Sequence, residues 1–158
     1  MASPLVIALL AAILLNLVFR IGVGARAQLA LAPGTAALDQ VHDFCQAQGA
    51  AWGARRDVMQ RVTAALVEFA EASDELVESG REATIELAFD EYHIDATVRY
   101  VGRAMEKPDD GAASTTTDLL ETGELPSHLP LLIIGRMADK SVTGRQGDTH
   151  WLHLSFEH

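Results

Sequence analysis

The chain has 158 residues, with 22 acidic side chains against 12 basic ones and a formal charge of −10. Every acidic residue lies beyond Leu31, together with ten of the basic ones, so that part is too acidic to suit nucleic acid or anionic lipid. A single cysteine, Cys45, excludes an internal disulfide and suits a reducing compartment.

The first predicted element is apolar. Residues 4 to 19 hold one polar side chain, Asn16, and Arg20 and Arg26 follow. Ser3 and Pro4 form a helix-start signal. From Pro4 to Phe19 the helix rises about 24 Å, and continuation through Ala25 brings it to roughly the 30 Å of a hydrocarbon core. The segment therefore reads as a transmembrane helix. A cleaved signal peptide is the second reading, supported by the Ala-Arg-Ala triplet at 25 to 27 but opposed by the lack of Lys or Arg before the apolar run. A buried helix away from membrane is the third, and it lacks the polar face that such a helix shows. Asn16 is expected at a helix-packing position, because a mid-membrane amide needs a hydrogen-bond partner from a neighbouring helix. The positive-inside rule puts the following domain in the cytoplasm, with the helix in the inner membrane. The division expected is 1–31 for the membrane helix and juxtamembrane segment and 32–158 for the cytoplasmic domain.

Within the acidic remainder, Pro33 and Gly34 break the chain, and an amphipathic helix is predicted from about Ala36 to Ala51. A second spans about Arg55 to Ser79, where Val58, Val62, Leu66, Phe69, Ala72 and Leu76 recur at helical spacing. Ile85, Leu87 and Phe89, then Ile94, Ala96, Val98 and Tyr100, alternate with other residues and predict a hairpin turning near Asp90 to Tyr92. Residues 106 to 128 read as a long loop, Pro130 to Ala138 as a short apolar helix, and a last hairpin turns through 144–148 into Leu152, Leu154 and Phe156. Helices on one face of an antiparallel sheet, an α+β sandwich, is the packing this order suggests.

Leu-Val-Glu-Phe-Ala-Glu-Ala at 66 to 72 and Leu-Ile-Ile-Gly-Arg-Met-Ala-Asp-Lys at 132 to 140, in that element order, resemble the GHKL ATPase fold of the small anti-sigma-factor serine kinases. Ser-Pro-Leu-Val-Ile at 3 to 7 and Leu-Asn-Leu-Val-Phe-Arg at 15 to 20 resemble the last transmembrane helix of the uracil/xanthine permeases, the nucleobase–cation symporters. Together they imply a bacterial permease C-terminus: one transmembrane helix followed by a GHKL-like α/β sandwich. The GHKL resemblance places a nucleotide site at Glu68, Ala72, Tyr100, Gly102 and Leu129 to Leu131. It also implies an asparagine at 72, an aspartate at 100 and a glycine-rich turn at 129–131, none of which is present. The domain is therefore expected to be a pseudo-ATPase with no catalytic residue, cofactor or metal, and its partners to be other transmembrane helices and a cytoplasmic protein regulator. The competing reading is a free-standing, membrane-tethered, anti-sigma-like regulator, and the third is an active ATP-binding serine kinase.

Three histidines near the end, His150, His153 and His158, invite a metal, but residues three apart on a strand face opposite sides. His42, His93 and His128 stand alone. Asp90-Glu91 and Asp109-Asp110 read as turn formers, residues 114–117 as a polar lid, and Cys45 as a small buried hydrophobe.

Overall fold

The computed structural model describes residues 24–90, 92–105 and 129–158, together with Leu9 and Ile13. The elements run β1 (Ala25–Leu31), α1 (Ala37–Trp52), α2 (Arg56–Leu76), β2 (Ala83–Phe89), β3 (His93–Val101), α3 (Leu129–Met137), β4 (Lys140–Gln146) and β5 (Thr149–Glu157). The strands form one five-stranded sheet in the order β1-β2-β3-β5-β4, antiparallel at every step.

Period-2 patterning explains the sheet. Ile85 and Leu87 on β2, Ile94, Ala96 and Val98 on β3, and Leu152, Leu154 and Phe156 on β5 are all buried, while their alternates face outward. Against that inner face α2 lays Val58, Val62, Ala65, Leu66 and Phe69, each almost wholly inaccessible. Ile134 of α3 and Val41 of α1 complete the core. The outer face is polar: Glu86 accepts from Gln28 at 3.3 Å and from Arg99 at 3.2 Å, tying β1, β2 and β3 through side chains that water reaches. One apolar face against helices and one hydrated face is the usual economy of an antiparallel sheet.

The structure corrects the expected fold class, a transmembrane helix followed by a GHKL-like sandwich. Among the described residues no helix is long and apolar enough to cross a membrane. Most of the apolar segment, Asn16 included, lies outside the described residues; Leu9 and Ile13 are helical and exposed. Ala25–Leu31, read with the membrane segment, is instead the edge strand β1, registered on β2 from Ala25 opposite Phe89 to Leu31 opposite Ala83. Its Ala25, Ala27, Leu29 and Leu31 alternate with the outward Arg26, Gln28 and Ala30, which is a strand pattern. The expected placement in the inner membrane, with helix partners for Asn16, thus has no described element to carry it.

Two junctions fix the edges of the core. The second helix ends at Leu76, three residues before its expected end, because Val77 turns extended and bridges Gly102. There Glu78 donates to the Val101 carbonyl at 2.8 Å and Arg103 to the Leu76 carbonyl at 2.7 Å. At the other end of the sheet, Trp52 stacks on Phe89 with centroids 5.6 Å apart, and the His158 ring meets Phe89 edge-on at 5.2 Å. His158 Nε2 accepts the Arg55 amide at 2.7 Å, capping the start of α2 in place of a local side chain.

Phe69 is wholly buried. Phe69→Asp is expected to abolish cooperative thermal unfolding, since an unpaired buried charge costs several kcal/mol of a total near 5–15 kcal/mol. A melting transition left in place, followed by circular dichroism, would show that this face is not the core.

Candidate functional site

The six positions that the GHKL resemblance assigned to a nucleotide lie on α2, at and just past the end of β3, and on α3. Glu68 is half-buried on α2, where burial and then the neighbouring Glu71 push its carboxyl above the usual range. One turn later Ala72 packs against the core. Tyr100 is buried, its ring 5.5 Å from Phe69, and its hydroxyl accepts the Met105 amide at 3.2 Å. Burial raises the phenol, an effect that this amide contact partly opposes. Leu129 and Leu131 fall in the first turn of α3, where Leu131 is buried and Pro130 has no amide to offer an anion.

Gly102 has a local explanation. Its φ is +150°, and a Cβ there would stand 2.0 Å from the Leu76 carbonyl oxygen and 2.7 Å from the Glu78 amide nitrogen. That contact is enough to require glycine where α2's exit crosses the end of β3.

Beside this crossing lies a surface depression of about 960 Å³ lined by Arg81, Arg103 and Arg145 but also by Glu75, Glu78 and Asp148. Arg81 is 3.7 Å from Glu78 and Arg145 is 3.5 Å from Asp148, so its charges largely offset one another. A smaller cavity of about 270 Å³ adjoins it between Tyr100, Met105, His150 and Trp151. The Trp151 indole lies over Gly144, where any Cβ would meet ring atoms at 2.3 Å.

The histidines separate as their spacing requires. His150 lies on the inner side, 5.6 Å from the Tyr100 ring, whereas His153 lies outside, with Nδ1 3.0 Å from Thr97 Oγ1 and Nε2 3.7 Å from Asp95. His93 sits 3.7 Å from Asp90, whose carboxylate caps the β2–β3 turn by accepting the amides of Tyr92 and His93. Among the described residues no three His, Cys, Asp or Glu side chains are grouped to hold a metal. Asp109-Asp110, residues 114–117, Glu91 and His128 lie outside the described residues.

The feature that sequence reading missed is a groove of about 790 Å³ between α1 and α2. The two helices form an antiparallel hairpin: Cys45 approaches Thr63, and Gly49 faces the Met59 side chain, where a Cβ would come within 3.0 Å. Cys45, Met59, Ala64 and Val67 line it, with Arg56 and His42 on its rim. The small residues Gly49, Ala50, Gly53 and Ala54 at the end of α1 were its one visible signal. Burial pushes the Cys45 thiol up to about 11, partly opposed by its hydrogen bond to Thr63, so at neutral pH it is not a thiolate nucleophile.

No family model matches the chain, and no curated protein does. Among solved structures, one chain from the crystal structure of the SiaB–SiaC complex of Pseudomonas aeruginosa shares the fold, with a TM-score of 0.52 at 15% identity. The alignment covers 94% of this chain and 98% of that one. This shared fold, with no helix among the described residues long and apolar enough to cross a membrane, overturns the reading of this chain as a permease C-terminus carrying a GHKL domain, and with it the transport function.

The clasp that closes the sheet gives a pH test. Asp139 accepts the Glu157 amide at 2.7 Å and Arg61 at 3.1 Å, and these contacts, the amide first, hold its carboxyl below the usual range. A depressed carboxylate contributes stability that is present above its unfolded pKa, near 3.9, and is lost as pH falls through the folded value. Asp139→Asn should therefore cost stability at pH 7, by no more than about 1 kcal/mol given the exposure of both partners, and less at pH 3. Urea titrations at the two pH values read the difference.

For Gly102→Ala, urea unfolding should show a loss of more than about 2 kcal/mol, against a few tenths for Gly80→Asn at an open turn.

Proposed function

We propose that this chain is a regulatory domain that works by binding a partner protein, not by turning over nucleotide. The observation that carries the reading is the fold shared, end to end, with a chain solved as part of a two-protein complex. The competing reading beside the permease, a free-standing, membrane-tethered, anti-sigma-like regulator, also worked by binding a partner protein, and it is that part of it which comes forward.

The local chemistry supports the non-enzymatic part. The Tyr100 hydroxyl is engaged by Met105, Pro130 interrupts the amides at the start of α3, and Ala72 offers no ligand for a metal. Glu68 alone supplies no group to hold phosphates. The buried Cys45 thiol is unsuited to covalent chemistry.

Calorimetric titration with ATP and magnesium is expected to give millimolar binding or none, because an unmade adenine contact alone costs about 1–3 kcal/mol. A micromolar constant with turnover would overturn the reading. For the partner itself, tagged chain is recovered from its source cells, and each co-purifying protein is produced separately and mixed with it. The expected outcome is one protein that forms a stoichiometric complex by light scattering with micromolar affinity or better. If every purified candidate fails to associate, the partner-binding function is wrong.

A further inference from the structure

We propose that the groove between α1 and α2 is a docking site for an amphipathic helix of a partner protein, apolar along one face and carrying a carboxylate at the end that meets Arg56. The inference deepens the partner-binding reading and rests on it.

Three properties of the groove select this occupant. Its extent comes first: from Arg56 to Val67 along α2 it runs about 16 Å, the length of three helical turns, longer than a compact metabolite needs. Its floor is apolar, made of Met59, Val67, Ala64 and Cys45, and flanked by glycines and alanines of α1 that let another backbone come close. Its charge is the third property. The chain carries 22 carboxylates, yet no Asp or Glu lines this groove. The cation on its rim, Arg56, makes no ion pair among the described residues, while the adjacent Arg55 is taken by Asp57 at 2.7 Å. Arg56 also stands at the positive end of the α2 dipole, which adds to the attraction for a carboxylate.

The complementary ligand is therefore a helix with apolar residues at i, i+4 and i+7 or i+8 and Glu or Asp at one end. A basic helix would meet the attraction of the acidic protein as a whole but the repulsion of this rim, so the two charge types separate local docking from long-range steering.

The test uses a labelled helical peptide of about 15 residues with three leucines on one face and glutamates at one end, and a sibling with lysines in their place. Fluorescence anisotropy with the purified chain is expected to show saturable binding of the acidic peptide, about tenfold or more tighter than the basic one. Ala64→Arg should abolish it. Arg56→Glu, an exposed change that leaves folding intact, should reverse the charge preference. Equal binding of both peptides, no saturation by the millimolar range, or indifference to Arg56→Glu would each overturn the proposal. Should a purified partner bind the chain undiminished by Ala64→Arg and Arg56→Glu, the groove inference falls while the partner-binding function stands.

Discussion

The nine-residue antiparallel pairing of β3 with β5, from His93 opposite Glu157 to Val101 opposite Thr149, makes one sheet out of two hairpins. Without it, β1, β2 and β3 would form one small sheet and β4 with β5 a two-stranded ribbon, each with half a hydrophobic face. With it, Ile94, Ala96 and Val98 stand directly beside Phe156, Leu154 and Leu152, and α2 has a continuous floor for Phe69 and Leu66. Cross-strand neighbours of this kind are the unit of sheet stabilisation. The helices then have only one face to cover, and the other is left to Gln28, Glu86, Arg99, Thr97 and His153.

A clasp at the periphery holds β5 to α2 and to the turn before β4. Asp139 reads the Glu157 amide with its carboxylate and the Ser155 carbonyl with its own amide, while Arg61 reaches from α2 to Asp139 and to the Glu157 carbonyl at 3.3 Å, with its guanidinium 5.8 Å over the Phe156 ring. One arginine thus ties helix, turn and β5 together. A lysine there would keep the charge but lose the planar fork that reaches several acceptors at once.

The elements with strong periodicity were legible from sequence. Ile85 to Phe89 and Ile94 to Tyr100 alternate cleanly, and Val58 to Leu76 mark one stripe of a long helix; the structure puts all three where that patterning points. β1 was not legible, because the apolar residues before it drew Ala25–Leu31 into a membrane reading although Arg26 and Gln28 carry the alternation. β4 was visible mainly through its turn, since Lys-Ser-Val-Thr-Gly-Arg-Gln offers no apolar face of its own. Gly102 shows the limit from the other side: a lone glycine was visible, but not that its need arises from a carbonyl 26 residues earlier in the chain. The α1–α2 groove escaped notice because its floor is built from both helices, and neither stripe alone marks a cleft.

The place of β5 has a consequence for biosynthesis. Of the five strands it is made last, yet it lies between β3 and β4 in the interior of the sheet. On the ribosome, β1, α1, α2 and the β2–β3 hairpin emerge before it, with the inner edge of β3 unpaired. The sheet closes only when β5 has been made, so until then the nascent chain carries the open edge of β3, which can pair with neighbours on the same message unless a chaperone shields it.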